Sequence, residues 1–458
     1  VKFTKLKNHA RRSGPEGTDT RRGVLMFDSS LRTRKDYLTH IDCQGLAGHW
    51  TYATGTVGFD LVHRASLGAF GDTVIESNRA LVPGPWEQDT GNGALDWEPM
   101  QAAYLTGTPP CSGFSLLNNS KKNNARGPDS KINECMWELI RYAGRCIGAD
   151  GKRGPEVVSF ESVQGAGKEG RDLMRALRAQ LEKDTKQKYG LSHVFTAGAT
   201  VGAAQMRHRY YFVAHRIPFG IDMPEKRRVA TYQDALGDLL GLEDTWDTQL
   251  VKNDVERDWW LWEQGIVSDA NFKYKKREID AHITADSPRI RIMLEELIPF
   301  WPAGKNVEVA MRNYRDKKGK FPEGADKWWD HERDQMKGFA HPTRIAPDRP
   351  GYVCTGNCIG DFIHWKEPRM LSVRECSRLM GLPDSWTWKA ATTVTQAGAY
   401  VGKCCPCNTG RWISTWVRNA LENNPGAHLT EIGEREYVHN STMLYKNWLK
   451  EQQTAYRS

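Results

Sequence analysis

The chain has 458 residues, 26% charged and 10% aromatic, the composition of a folded globular protein of two or three domains rather than a disordered one. No run of about 18 apolar residues occurs, which excludes a membrane-spanning helix. A net charge of +8 favours an anionic partner, and ten irregularly spaced cysteines without a secretory leader point to free thiols in a reducing, cytoplasmic setting.

The first 40 residues hold ten Lys or Arg against four acids, with Arg11-Arg12 and Arg21-Arg22 set among Gly, Ser, Pro and Thr. Residues 1–37 read as a flexible basic arm, suited to phosphate contact or simply solvated. Ordered structure is expected from Tyr37. Leu38-Thr39-His40-Ile41-Asp42-Cys43 reads as a first strand running into Gly45-Leu46-Ala47-Gly48. Such a turn lets the backbone come close to a nucleotide-type cofactor, because side chains are missing. Thr56–Phe70 carries Val57, Leu61, Val62, Ala65 and Leu67 as the apolar face of a helix. Asp72-Thr73-Val74-Ile75-Glu76 is a second short strand, and its terminal acid, with Ser77 beside it, stands where ribose hydroxyls are accepted.

Ala102-Ala103-Tyr104-Leu105 reads as a strand and leads into Gly107-Thr108-Pro109-Pro110-Cys111-Ser112-Gly113-Phe114-Ser115. Two prolines restrict this turn, so Cys111 is held in a set direction just past a strand end. Alone, such a turn is more often structural than catalytic, and the rest of the chain must supply partners for the thiol. Asn118–Asn124 is polar and basic and cannot bury itself. A helix is expected over Ser130–Gly148, a buried strand over Pro155–Val163 with Glu161 near its end, and a helix around Asp172–Lys183. Further strands are expected at His193–Thr196 and Gln205–Ala214, where alternation puts Arg207, Arg209 and Tyr211 on one face. Strands alternating with helices point to an open α/β sheet.

After Arg216 the rhythm changes. Residues 217–350 gain Trp259, Trp260, Trp262, Trp301, Trp328 and Trp329, and the basic clusters Lys273-Tyr274-Lys275-Lys276-Arg277 and Arg315-Asp316-Lys317-Lys318. Basic and aromatic residues together fit a nucleic-acid surface, although each tryptophan taken singly fits a core better. Leu371–Asp384 carries helix punctuation: Ser372 and Glu375 in capping-box spacing, Gly381 and Pro383 as a stop. A last helix is expected from Thr409 to Leu421, and the tail from Asn423 is expected to add one peripheral helix. Cys354-x3-Cys358 and Cys404-x2-Cys407 have the spacing of a four-thiolate zinc site if the fold unites them, but the reading assigns no metal.

Four of these stretches, in order, resemble the motifs of the C5-cytosine DNA methyltransferases. Pro109-Pro110-Cys111 resembles the nucleophile loop, and Glu161-Ser162-Val163 the Glu-Asn-Val motif with Ser162 in place of Asn. Gln205-x-Arg207-x-Arg209 is similar to the Gln-x-Arg-x-Arg strand. Leu371-Ser372-x-Arg374-Glu375-x-x-Arg378-Leu379-x-Gly381-x-Pro383-Asp384 resembles the motif that follows the target-recognition domain. The resemblance covers about residues 38–216 and 344–421. It implies a Rossmann-like SAM-dependent methyltransferase sheet with an inserted smaller target-recognition domain. The expected division is a basic arm at 1–37, a catalytic domain at 38–216, a recognition domain at 217–385, a helix returning to the catalytic domain at 386–422 and a polar tail at 423–458.

The implied chemistry is methyl transfer from S-adenosylmethionine to C5 of a cytosine flipped out of double-stranded DNA. C5 is a poor nucleophile, so Cys111 must first add to C6, which suits a residue already partly thiolate at neutral pH. Glu161 would share a proton at N3, Arg209 would contact the base carbonyl, and Arg207 would help position that site. Asn118–Asn124 is the candidate to close over the flipped base. The donor would lie over Cys43, Gly45, Leu46, Ala47 and Gly48, with its ribose on Glu76 and Ser77 and with Ala399 and Tyr400 nearby. Departures from the family pattern gather at that pocket: Cys43 stands where an aromatic is usual, Ala47 replaces a glycine, and Gly398-Ala399 replaces Gly-Asn. They are compatible with a modified S-adenosylmethionine carrying a group larger than methyl. An RNA cytosine methyltransferase and a non-catalytic nucleic-acid-binding relative are the alternatives. The expected state is a monomer, and nothing in the sequence identifies a restriction-enzyme partner.

Overall fold

Short strands rich in Val, Leu, Phe and Tyr pair into one seven-stranded sheet in the computed structural model of the chain. The structure describes the short strands at 24–27, 74–76, 245–246 and 283–284, most of 103–115, and, with short gaps, 127–221, 229–241, 288–381 and 398–438. The sheet contains β1 (Val24–Phe27), β2 (Val74–Glu76), β3 (Tyr104–Gly107), β4 (Val157–Ser162), β5 (Gly190–Ala197), β6 (His208–His215) and β7 (Glu434–Val438). Its order is β7-β5-β6-β4-β3-β1-β2. β1 runs parallel to β2 and β3, β3 to β4, and β7 to β5, whereas β6 runs antiparallel to both β4 and β5.

Two of these strands depart from the sequence reading. Val24–Phe27 lies inside the stretch read as a basic arm, so ordered structure does not begin at Tyr37. Four consecutive apolar residues are enough for a short strand between two parallel neighbours, and the charges around them hid the signal. The expected strand at Leu38–Cys43 and the helix at Thr56–Phe70 lie outside the described residues. Glu434–Val438, expected to fall in a polar helical tail, instead adds an edge strand. The Glu434 carboxylate accepts from Arg175 Nε at 2.8 Å and lies 3.0 Å from His193 Nε2, contacts that exist only when this segment pairs with β5.

The chain divides into two units. The first comprises residues 1–203, 207–228 and 404–458, and the second residues 204–206 and 229–403. In the first, helices cover both faces of the sheet. One face packs Leu105, Val158, Phe160 and Phe212 against α1 (Glu134–Ala143) and α3 (Arg171–Thr185), which contribute Met136, Leu139, Ile140, Met174, Leu177 and Leu181. The other packs Tyr104, Val157, Tyr211 and Val213 against Ile413, Val417 and Leu421 of a last helix, Cys407–Asn423. At the end of the sheet where β4 begins, Arg216 is bidentate to Asp150 at 2.6 and 2.7 Å and lies 3.4 Å from Glu156. This buried triad pins the 148–156 loop, and both its anions are partnered, as burial requires.

The second unit has its own core, with Leu294, Leu297, Val307, Met311 and Ile363 around Trp301 and Trp329. Both tryptophans are 1% exposed, the core position that each tryptophan taken singly fits, and neither presents a face to nucleic acid. Trp259, Trp260, Trp262 and Trp328 and the Lys273–Arg277 cluster lie outside the described residues. Arg315 stays partly exposed at the rim of this core: it pairs with Asp334 and sits 5.5 Å over the Trp329 ring.

Helix Val373–Leu379 begins as its sequence predicts. Glu375 N donates to Ser372 Oγ at 3.2 Å, and Ser372 N donates to Glu375 Oε2 at 2.8 Å. The same carboxylate accepts from both terminal nitrogens of Arg369, each at 2.8 Å, in a fully buried pair. Cys354, Cys358 and Cys376 are buried free thiols in this unit. The hydrogen bond with Cys354, together with burial, pushes Cys358 well up, and those with Cys354 and Cys358, together with burial, push Cys376 well up, so both pack as protonated side chains. No group of residues able to hold a metal is found among the described residues.

Candidate active site

Parallel strands deliver their carboxyl ends to one edge of a sheet, and in open α/β folds ligands bind there. β3 pairs with β4 so that Gly107 faces Phe160, which puts the Cys111 turn and Glu161 at that edge on neighbouring strands. β6 runs the opposite way, so it begins where β4 ends, and Glu161 faces Tyr211. Arg209, two residues before Tyr211, points to the same face by alternation. Its Nε pairs with Glu161 Oε1, and the two side chains are only 10% and 12% exposed. The charge pair is therefore largely out of water, where its geometry is tightly held.

Arg209 Nη1 donates to the His208 carbonyl at 2.7 Å, and Nη2 has no partner among the described residues. Arg207 is 5% exposed, just before the strand starts. Lys168 closes α2 (Gln164–Lys168), the short helix directly after β4. His208 stands between these cations. Burial first, then Lys168 and Arg209, lower its pKa, so it is held neutral. Sequence reading missed both Lys168 and His208. Their only signal was position: Lys168 is seven residues past Glu161, and His208 lies between two arginines already singled out.

Beneath Glu161, on the same face of the sheet, runs a buried hydroxyl ladder. Tyr104 Oη and Thr106 Oγ1 lie 2.7 and 2.9 Å from Ser159 Oγ. Polar residues at inward positions of apolar strands were its trace in the sequence. Ser162 points to the opposite face; it is fully buried, and its hydroxyl has no hydrogen-bond partner among the described residues.

Of the residues singled out in the sequence, the fold brings Glu161, Arg207 and Arg209 to one edge. Cys111 lies outside the described residues, but its turn is bracketed by Gly107 in β3 and by the buried pair Gly113 and Phe114. Glu76 ends β2 at the same edge, separated from β3 only by β1, with Met26 facing Glu76 and Phe27 facing Gly107. Cys43, Gly45, Leu46, Ala47, Gly48, Ser77, Ala399 and Tyr400 lie outside the described residues, as does Asn118–Asn124.

In the second unit, Gln205 joins two of the sequence motifs. Its Nε2 donates to the Leu379 carbonyl and lies close to Met380 Sδ, both at 2.7 Å, while its Oε1 accepts from Cys354 N at 3.4 Å. The first residue of Gln-x-Arg-x-Arg therefore caps the helix of the Leu371–Asp384 motif.

Comparison with known proteins gives one strong match. Residues 89–416 match the C-5 cytosine-specific DNA methylase family. The match takes in Cys111, Glu161, Arg207, Arg209, Ala399 and Tyr400 and leaves out residues 43–77. Solved structures with a similar course include a protein described as a DNA modification methyltransferase encoded within a prophage of E. coli. It is 16% identical, with 88% of this chain and 99% of that chain covered and a TM-score of 0.48. The Entamoeba histolytica methyltransferase EhMeth is 11% identical over 88% and 98% of the two chains, with a TM-score of 0.40. A Spodoptera frugiperda DNMT2 variant is 13% identical over 86% and 99%, with a TM-score of 0.33. No curated protein matches the chain.

Proposed function

Because the chain belongs to the C-5 cytosine-specific DNA methylase family, and so is an S-adenosylmethionine-dependent cytosine-C5 methyltransferase, we propose that Cys111, Glu161 and Arg209 carry its chemistry on a cytosine flipped out of nucleic acid. The observation that supports this most is the Glu161–Arg209 ion pair at the sheet edge where the Cys111 turn begins. Cys111 adds as thiolate to C6, and the electron pair moves through the ring toward N3 and the base carbonyl. Glu161 holds a proton at N3, which stops charge from accumulating there. Arg209 keeps Glu161 oriented through Nε and offers Nη2 to the base carbonyl, and Arg207 fixes the backbone from which Arg209 projects. Their exclusion from water strengthens both interactions. S-adenosylmethionine, when bound, supplies an electrophilic methyl group to C5. A base then removes the C5 proton, the S–C6 bond breaks, and Cys111 leaves as thiolate.

Duplex DNA is the first reading of the acceptor, supported by the family's description as a DNA methylase, and RNA is the second. One experiment separates them. The chain is incubated with S-adenosylmethionine and with duplex DNA or RNA containing 5-fluorocytosine, whose C5 substituent cannot leave. A covalent adduct is expected on duplex DNA and should be lost in Cys111→Ser. An adduct on RNA alone moves the reading to RNA, and no adduct on either overturns the assignment of Cys111.

A further inference from the structure

Three residues beyond Cys111, the chain docks on the segment that follows Glu161. Phe114 is 1% exposed and packs in the core with Ala166, Leu173 and Phe195. Its carbonyl and ring rest on two glycines. A Cβ built on Gly165 would stand 2.6 Å from the Phe114 carbonyl oxygen, and one on Gly170 would stand 2.7 Å from the ring. Both distances are shorter than real Cβ contacts, so these close approaches exist only because side chains are missing. Gly113 is held as tightly from the other side. A Cβ there would meet Asn133 Oδ1 at 2.7 Å, and its carbonyl accepts from Gly127 N at 2.7 Å. Asn133 Nδ2 in turn donates to the Gly127 and Pro128 carbonyls at 2.9 and 2.8 Å.

The upstream end is fixed too, since Gly107 is paired with Phe160 in the sheet. The Cys111 turn, Thr108–Ser112, therefore spans five residues, two of them proline, between two anchors. The anchors refer to two consecutive elements: Gly107 to β4, which carries Glu161, and Phe114 to α2, which follows it. We propose that Gly165 is a positioning residue whose missing side chain lets Phe114 seat the Cys111 turn at a fixed distance from Glu161. Neither Gly165 nor Phe114 touches the substrate in this arrangement. They set the distance between the nucleophile and the acid, and the proposal rests on the roles given to Cys111 and Glu161 above. In Gly165→Ala, reaching ordinary contact at 3.4 Å from 2.6 Å pushes the Phe114 carbonyl, and the turn with it, by about 0.8 Å. Misplacement on the order of 1 Å costs about 10²-fold in a reaction that depends on alignment.

The test uses the full chain with S-adenosylmethionine and 5-fluorocytosine duplex DNA, and with 5-fluorocytosine RNA if only that traps the wild type. Gly165→Ala and Phe114→Leu are compared with Gly220→Ala, whose Cβ meets nothing within 4 Å. We expect adduct formation to slow about 10-fold to 100-fold in Gly165→Ala and at least about 5-fold in Phe114→Leu. The dissociation constant for S-adenosylmethionine and the KM for nucleic acid should stay at wild-type values, and Gly220→Ala should match the wild type throughout. A merely structural role would lower binding and rate together. Wild-type adduct rates in a folded Gly165→Ala overturn the proposal, and if that variant does not fold, wild-type rates in Phe114→Leu do so. A wild-type chain that forms no adduct on any acceptor overturns the assignment of Cys111 itself, and the positioning role with it.

Discussion

Glu161 and Arg209 meet across an antiparallel strand pair, and each is about nine-tenths buried. Nothing local brings them together. They are 48 residues apart, and their contact depends on β6 reversing direction beside β4. Glu161→Gln removes the carboxylate that holds a proton and leaves the guanidinium without its partner. We expect turnover to fall roughly 10²-fold to 10³-fold, measured as label transfer from S-adenosylmethionine, with the nucleic-acid KM less affected. Arg209→Lys loses the planar fork that serves Glu161 and the base at once, and should fall as far. Turnover within a few-fold of wild type in either variant would refute this account of the edge.

Ser162 stands where the family has Asn, and its buried hydroxyl has no partner among the described residues. A polar group left unpaired in a core is a cost that an apolar replacement removes. Ser162→Ala should therefore leave stability unchanged or raise it by about 1 kcal/mol, measured by urea unfolding. A loss of stability on that substitution would mean the hydroxyl is bonded in the working protein.

The Arg369–Glu375 pair makes the second unit sensitive to acid. Burial alone would push the Glu375 carboxyl up, but the Arg369 hydrogen bonds and charge more than offset this and hold it below the ordinary carboxylate range. A carboxylate with a lowered folded pKa contributes stability above its unfolded value, near 4.3, and loses it as pH falls toward the folded pKa. Glu375→Gln should cost about 3 kcal/mol at neutral pH, because it leaves Arg369 buried without a counter-charge. It should also flatten this unit's stability loss below about pH 4. Equal acid sensitivity in variant and wild type would count against the pair.

His215 acts in a milder range. Burial pushes its imidazole down to about 4, and it sits between Ser192 Oγ at 3.1 Å and the Ile217 carbonyl at 2.8 Å. A buried neutral histidine of this kind contributes fully above the unfolded value near 6.5, and the contribution is lost as pH falls toward the folded value. Between pH 7 and pH 5 the first unit should lose about 2 kcal/mol through this group alone. Denaturant titrations at the two pH values, with His215→Gln as reference, read it directly; a variant that loses as much as the wild type would exclude His215 as the cause.

Much of the site was legible from side-chain chemistry and spacing. An acid at the end of a buried strand, Arg209 alternating with Tyr211 on one strand face and the Ser372–Glu375 cap are all short-range patterns. Short-range patterns survive in a linear text because residues within a turn, strand or helix dictate one another's conformation. Less local features were misread for the same reason. Val24–Phe27 is a strand only because β2 and β3 flank it, and Glu434–Val438 is one only because His193, Arg171 and Arg175 receive its acids. Trp301 and Trp329 do lie in a core, as each tryptophan taken singly suggests, but which residues surround them was not legible along the chain.

The sequence by itself determined that the chain carries a Pro-Pro-Cys stretch, a strand-end acid and a strand arginine in the order its family uses. Only the tertiary structure decided that Glu161 and Arg209 hold each other, that Gln205 caps the helix of a distant motif, and that Gly165 and Gly170 let Phe114 pack closely against them. Those contacts join residues far apart along the chain, and only pairing in the sheet and packing in the core determine which of them meet.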